Sequence, residues 1–352
     1  MSRFHSLHIK DIKKETSDTV SISFDVPENL KADYKFIPGQ YLTLRTNINN
    51  KEIRRSYSIC TEPAANDLRV AVKQIENGLF STFANTQLKE NDILDVGSPE
   101  GKFTLETNHN SKKNYAAFVA GSGITPVMSM IKDVLHHEPN SSFVLLYGNK
   151  TPENTIFYSE IENLKKEFFG RFYVYYTFTQ VNEQDALFGR IDTEKVNYIL
   201  KNKHKNIELN AFYLCGPEDM INTVSNTLEE NKVPKSAIHY ELFTAATSTP
   251  NKIDTDTLDG DAKVTITLDD EEFNVIVKEN ETILDAALKQ GIDAPYSCQG
   301  GVCSSCICMV TEGEVTLLKN SVLTDGEIEE GLTLACQAVS KSPVIKVDFD
   351  DI

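Results

Sequence analysis

Cys298, Cys303 and Cys306 fall at C-x4-C-x2-C, and a fourth cysteine, Cys336, follows in Leu334-Ala-Cys-Gln337. Thiolates at these intervals suit a [2Fe-2S] cluster held by four sulfurs. Such a cluster needs ligands arriving from around it. A tight loop containing Gly300 and Gly301 can supply three of them and turn backbone amides toward the sulfurs, while the fourth must come from elsewhere in the chain. Zinc sites usually pair two close dyads, whereas here a triad faces a singleton. Ordinary buried cysteines are the plainer reading of the same residues. Cys308 stands outside the pattern and reads as a packed thiol.

Length and charge bound what the rest can be. The 352 residues suit two to four domains with ample length to bury cores. With 35 basic against 52 acidic residues and a formal charge of -17, nucleic acid is not an expected partner. Cys60, Cys215 and Cys308 are an odd remainder that makes no disulfide framework, which fits a reducing, cytoplasmic setting. Residues 1–10 lack the apolar run of a signal peptide, and no later run is long and apolar enough to span a bilayer, so no membrane partner is expected.

The patterning predicts three folded parts. Over residues 1–108, short β-branched and aromatic runs (Val20–Phe24, Tyr41–Leu44, Leu68–Val72, Ile93–Val96) are separated by turn signals such as Pro38-Gly39 and Asn77-Gly78. With no α-crossover expected between them, these runs predict an antiparallel β-barrel. Over residues 112–243, apolar strands at Tyr115–Ala120, Phe143–Tyr147, Phe172–Thr177 and Ala211–Cys215 alternate with helices near Pro126–His136 and Ser159–Phe168. That alternation predicts a doubly wound, parallel α/β domain of the nucleotide-binding kind. Residues 244–262, rich in Ser, Thr, Asn and Asp, read as a linker. Residues 263–352 predict a small α+β unit around the cysteine loop. It holds six lysines, no arginine and 17 acidic residues, a net -11. That excess serves solubility, or forms an acidic face that steers a basic partner.

Two further motifs sit on these elements. Gly121-Ser-Gly-Ile-Thr-Pro126 lies between a predicted strand and a predicted helix, where glycines let helix N-terminal amides meet a pyrophosphate. Arg55-Ser-Tyr-Ser58, with Gly78-Leu-Phe-Ser81 downstream, offers a guanidinium for a diphosphate and an aromatic face for a flat ring. Taken alone, R-x-Y-S equally suits an ordinary strand with an exposed arginine.

Together these segments resemble the ferredoxin-NADP reductase superfamily. The order of modules, with Phe36-Ile-Pro-Gly-Gln40, Arg54-Arg-Ser-Tyr-Ser-Ile-Cys60 and Ala294-Pro-Tyr-Ser-Cys298, is similar to the family of phenylacetyl-CoA epoxidase reductase subunits, whose cluster domain has a β-grasp fold. The resemblance implies that FAD meets Arg55 at its pyrophosphate, stacks on Tyr57 and bonds Ser58 near N5. It also implies further flavin contacts from Val72, Lys73, Gly78, Phe80, Ser81 and Thr82, with amides of the 78–82 stretch cradling phosphates. A nicotinamide dinucleotide would lie on Gly121, Ser122, Gly123, Thr125 and Pro126. It would also meet Cys215, Gly216, Pro217 and Met220, with Cys215 beside the nicotinamide. Phe243 would cover the flavin, and Glu241 and Ser58 would join Cys215 in assisting hydride transfer. Core packing of Cys215 and of Phe243 is the plainer alternative.

Lys150, just beyond the second strand of the α/β domain, can pair with a 2′-phosphate and favours NADPH, whereas Glu153 keeps NADH open. His136 and His137 end a predicted helix, where imidazoles meet the dipole, and no ligand role follows from their spacing. The implied activity is electron transfer from NADPH through FAD to the cluster and on to a di-iron oxygenase, the epoxidase of phenylacetate degradation. A ring-hydroxylating oxygenase, a fatty-acyl desaturase or a hybrid-cluster protein are the alternative acceptors. A non-catalytic redox-sensing subunit is the alternative from another class.

Overall fold

The computed structural model describes residues 4–243, 258 and 260–351. The chain divides into two compact units, one spanning residues 4–243 and the other holding the described residues from 258 onward. Most of the expected linker, residues 244–257 and 259, lies outside the described residues.

The first unit begins with six antiparallel strands: β1 (Phe4–Thr16), β2 (Thr19–Asp25), β3 (Tyr41–Ile48), β4 (Lys51–Ser58), β5 (Leu68–Lys73) and β6 (Ile93–Gly97). Their order is β4-β3-β6-β1-β2-β5. Alternation puts Leu42, Leu44, Val70, Val72 and Val96 on the inner face, where each is fully buried. Just past β4, the Cys60 amide donates to the Arg69 carbonyl at 2.9 Å, so the chain leaving one edge strand meets the other and closes the sheet. One expectation fails here. A helix, α1 (Leu79–Thr86), does interrupt the strands. Phe80 and Ala84, four residues apart, turn one face into the barrel core, a spacing too short to stand out from the flanking strands.

Six parallel strands follow: β7 (Asn114–Ala120), β8 (Ser142–Asn149), β9 (Phe172–Phe178), β10 (Leu187–Phe188), β11 (Ala211–Gly216) and β12 (Ile238–Leu242). Four α-helices accompany them: α2 (Ile124–His137), α3 (Tyr158–Glu167), α4 (Thr193–Asn197) and α5 (Glu218–Glu230). The order β10-β9-β8-β7-β11-β12 reverses direction between β7 and β11. At such a switch point the loops leaving neighbouring strands splay apart and open a crevice at the strand carboxyl ends.

The barrel is fastened to this sheet through α2. Cys60, Phe103 and Leu105 share one hydrophobic core with Val127, Met130 and Ile131. Ser129 Oγ donates to the Thr61 carbonyl at 2.6 Å, and Lys132 Nζ donates to the Cys60 carbonyl at 3.2 Å. Both acceptors lie within three residues of the end of β4, the strand that carries the R-x-Y-S motif.

The second unit builds a five-stranded sheet, order β14-β13-β19-β15-β17, from β13 (Ala262–Leu268), β14 (Glu271–Val277), β15 (Ile307–Glu312), β17 (Leu332–Leu334) and β19 (Val344–Asp348). The first and last strands, β13 and β19, pair in parallel, and α6 (Ile283–Lys289) packs across them. A two-stranded ribbon, β16 (Val315–Leu317) with β18 (Ala338–Ser340), and the short α7 (Asp325–Glu329) complete it. The unit begins earlier than the expected Lys263. Leu258 donates its amide to the Ser340 carbonyl at 2.9 Å and packs on the core, and Ala262 is fully buried. A polar neighbourhood hides that leucine in the sequence.

Ser129 is fully buried, and its hydroxyl bonds a carbonyl of the neighbouring barrel. Ser129→Ala leaves that carbonyl unpaired and is expected to cost about 1–2 kcal/mol. Urea unfolding should show the loss as a lower midpoint with an unchanged slope, and an unchanged midpoint would mean that water replaces the hydroxyl.

Candidate functional site

The crevice at the switch point is built by two loops in contact. The loop after β7 runs through Gly121, Ser122 and Gly123 into α2, and a Cβ on Gly123 would lie 2.2 Å from the Cys215 carbonyl oxygen at the end of β11. No side chain fits there, so the glycine lets the two strand ends close on each other. Tyr147 Oη donates to the Gly121 carbonyl at 2.9 Å, and Thr125 Oγ1 donates to the Ser122 carbonyl at 3.1 Å. Thr125 and Pro126 are buried in the first turn of α2. Across the crevice, Gly216 and Pro217 lead into α5, with Met220 buried in its first turn. The first-turn amides of a helix have no intrahelical partner and carry positive dipole charge, so the loop before α2 presents donors to an anion. Lys150 is exposed just beyond β8. Sequence reading missed Tyr147, a strand residue that looks like ordinary core.

Cys215 and Glu241 sit side by side in the pairing of β11 with β12, and neighbours in register point to the same face. The Cys215 thiol is fully covered by protein and packs with core residues. Burial and then the nearby Glu241 push it well above the usual thiol range, so it stays protonated. The Glu241 carboxyl is pushed up to about 8 by burial, and its Oε2 has no hydrogen-bond partner. Phe243 follows, half-exposed.

In the barrel, β3 and β4 pair so that Tyr57 lies opposite Leu42 and Ser58 opposite Tyr41. The Tyr57 ring lies 5.5 Å from that of Phe80, tilted by 33°. Burial holds its phenol neutral, well above its ordinary range, against the opposing charge of Arg55. The Arg55 side chain is exposed, with Nη1 donating to the Arg54 carbonyl at 2.6 Å, and Ser58 is buried.

The expected phosphate cradle is narrower than 78–82. The Gly78 amide already donates to Ile75 and the Thr82 amide to Gly78, which leaves the first-turn amides of Leu79, Phe80 and Ser81. Ser81 Oγ braces the loop by accepting from the Ile75 amide at 3.2 Å. Two other expected contacts turn elsewhere: the Val72 side chain is in the barrel core, and Lys73 Nζ lies 3.6 Å from Asp18.

In the second unit the four spaced cysteines converge. Cys303 Sγ donates to Cys298 Sγ at 3.1 Å, and Cys336 lies near enough to Cys298 and Cys306 for these thiols to influence one another's titration. These contacts couple the thiols, so that one of them, Cys298, gives up its proton more readily while its neighbours Cys303 and Cys336 hold theirs. Sulfurs this close together, with the Gly300 amide donating to Cys298 Sγ at 3.3 Å, suit thiolates that share one metal group. Gly301 makes the loop tight: its φ is +70° and an added Cβ would lie 2.6 Å from the Lys319 carbonyl. Gln337, which sequence reading passed over although it adjoins Cys336, bonds the Gln299 carbonyl at 3.2 Å and ties the distant cysteine to the loop. Cys308 is fully buried in β15, as a packed thiol should be.

The chemistry of these donor sets fits the three groups implied by the sequence. The four thiols suit an iron-sulfur cluster, the crevice suits a dinucleotide, and the barrel motif with the α1 amides suits a flavin diphosphate.

Glu241 makes stability depend on pH. Between its ordinary value of 4.5 and about 8, the unfolded chain releases this proton while the folded chain keeps it, so stability is full below that window and falls as pH rises through it. Glu241→Gln is expected to flatten this fall, by on the order of a few kcal/mol across the window. Unfolding midpoints measured from about pH 4.5 to about 8.5 on both proteins test it, and parallel curves would remove Glu241 as the cause.

Comparison with known proteins finds three domain families along the chain. An oxidoreductase FAD-binding domain family matches residues 6–105, an oxidoreductase NAD-binding domain family matches 118–226, and a 2Fe-2S iron-sulfur cluster binding domain family matches 266–341. The chain is 31% identical over 357 residues to the ferredoxin reductase component of 3-ketosteroid-9-alpha-monooxygenase from Rhodococcus rhodochrous, covering 99% of this chain and 97% of that one. The solved structure of phthalate dioxygenase reductase has the same fold, with a TM-score of 0.61 over 98% of both chains at 24% identity. One component of the 1,2-phenylacetyl-CoA epoxidase of Escherichia coli (strain K12) is 37% identical over 353 residues, 99% of each chain. With that identity running from the barrel through the cysteine loop, this chain belongs to the same family as that epoxidase component, oxidoreductases that carry electrons from a nicotinamide dinucleotide through FAD to a [2Fe-2S] cluster.

Proposed function

We propose that this chain is the NADPH-dependent reductase of a di-iron phenylacetyl-CoA epoxidase acting in phenylacetate breakdown. The observation that carries the reading is the presence, in one polypeptide, of a dinucleotide crevice at a sheet switch point and a convergent group of four thiols. The choice of epoxidase rests on the 37% identity to the Escherichia coli protein. FAD, when bound, would supply a group able to accept a hydride and release electrons singly, matching a two-electron donor to a one-electron iron-sulfur group.

The residues do the holding. Tyr57 supplies a flat apolar face for the flavin, Arg55 a charge for its diphosphate, and the amides of 79–81 a partly positive end for its phosphates. Gly121, Ser122 and Gly123 let the dinucleotide's pyrophosphate reach the start of α2, and Gly216 and Pro217 form the opposite wall. Glu241, protonated near neutral pH, holds a proton beside Cys215 at the end of β11, where it would serve a nicotinamide bound in the crevice. Cys298, Cys303, Cys306 and Cys336 hold the cluster. The net charge of -11 over residues 263–352 favours a partner with a basic docking face and an association that weakens with salt.

Reconstitution tests the partner. The purified chain, NADPH, dioxygen, phenylacetyl-CoA and the oxygenase components of an epoxidase should together yield the ring epoxide. Full NADPH-driven reduction of ferricyanide without epoxide would overturn the acceptor while leaving the reductase reading in place, and a ring-hydroxylating oxygenase or a desaturase would be the next acceptors to supply.

Cys303→Ser is expected to abolish the cluster's visible absorbance while NADPH-to-ferricyanide turnover stays within about twofold of the parent, because the thiols sit on a unit with its own core. Equal loss of both signals would mean that the flavin part depends on the cluster unit. Lys150→Ala should lower the kcat/KM ratio of NADPH over NADH roughly tenfold, the scale of one charge-assisted phosphate contact. An unchanged ratio would move the determinant elsewhere.

A further inference from the structure

The seam between the barrel and the parallel sheet carries a group of ligating side chains that the electron path does not use. Glu62 comes from the turn that follows β4, while Asp133 and His137 stand four residues apart on one face of α2. One carboxylate oxygen from each acid and one ring nitrogen from His137 all lie within 4.8 Å of one another. The two carboxylates are nearly closed off from solvent, with side-chain exposures of 15% for Glu62 and 7% for Asp133, whereas His137 is 42% exposed and leaves one side open.

The surroundings orient the group. Thr107 Oγ1 donates to Asp133 Oδ2 at 2.7 Å, which leaves Oδ1 facing His137 Nδ1 at 2.9 Å. The Glu62 carboxylate meets His136 Nδ1 at 2.6 Å. The neighbouring ammonium, Lys132, is turned away to the Cys60 carbonyl and to Glu160. Among the described residues, Glu62 thus pairs with His136 and Asp133 with His137. Two screened carboxylates and an imidazole converging on one point, open to water on a single side, form a pocket of donors that a small cation can gather.

We propose that Glu62, Asp133 and His137 bind a divalent first-row transition metal ion, with Zn2+ as the probe, and that this ion clamps the barrel to the carboxyl end of α2. Two carboxylate oxygens and one imidazole nitrogen are a donor set such ions accept, and water can complete the shell on the open side of His137. Thr107 then acts as the outer partner that fixes Asp133, as carboxylate ligands elsewhere are fixed by a second hydrogen bond. The ion bridges two parts of the chain far apart in sequence, so its binding would stabilise the assembled unit by mass action.

The test uses the full-length, cluster-loaded protein, washed with EDTA under anaerobic conditions and titrated with Zn2+ by calorimetry. The parent should bind one Zn2+ per chain beyond the iron of the cluster, at least tenfold more tightly than His137→Ala or Glu62→Gln. Its thermal unfolding midpoint should rise with Zn2+, while neither variant responds. His137 is half-exposed and off the electron path, so His137→Ala should keep parental NADPH-to-ferricyanide turnover before zinc is added. Equal Zn2+ affinity in the parent and His137→Ala overturns the proposal, as does the absence of binding beyond the cluster. Zinc uptake that Cys303→Ser abolishes and His137→Ala spares also overturns it, since the cysteine loop would then be the ligand.

Discussion

The structure of residues 4–243 depends on how closely the loop after β7 approaches the end of β11. Gly123 sits where an added Cβ would lie 2.2 Å from the Cys215 carbonyl, so the absence of one side chain decides whether the two halves of the parallel sheet can meet at their switch point. From that contact α2 starts in a fixed direction. Its second and third turns carry Ser129 and Lys132 onto the carbonyls of Thr61 and Cys60. Those carbonyls belong to the chain just past β4, and the Cys60 amide closes the barrel on Arg69. The placement of Tyr57 relative to the dinucleotide crevice thus traces back to one glycine through a single helix. Such rigidity matters where a hydride must pass between two flat rings, because transfer rates fall steeply with misplacement.

The cluster unit is organised by a different constraint. Its thiols must converge while its loop stays short, and Gly301 meets that need with a positive φ beside the Lys319 carbonyl. Gln337 then ties the distant Cys336 back to the loop through Gln299. The unit has its own sheet and its own core, so its folding and its ligand set are internal matters.

Much of this was legible in the amino-acid order because the relevant signals are local. Cysteine intervals, glycines between a strand and a helix, and the change from period two to period 3.6 all report on neighbouring residues. The identity of β7, β8, β9, β11, α2 and α3 followed from them. What escaped depends on tertiary contact. α1 is a single short helix whose apolar spacing merges with the strands around it. Leu258 belongs to a core whose other members are far along the chain. Val72 and Lys73 carry residue types that suit a binding surface or a structural face equally, and only the register of β5 against β2 sends one into the core and the other to Asp18. Glu62 is 71 positions from Asp133, and nothing in either neighbourhood announces the other.

The helix that joins the two parts grips main-chain oxygen atoms and no side chain of the barrel in those two bonds. In these two bonds the side chains of positions 129 and 132 supply the donors, while the side chains of Cys60 and Thr61 are left to bond within the barrel, to the carbonyls of Arg69 and Asp67. A main-chain grip of this kind fixes the direction in which the chain leaves β4, whatever the side chains on either side of it present to the flavin.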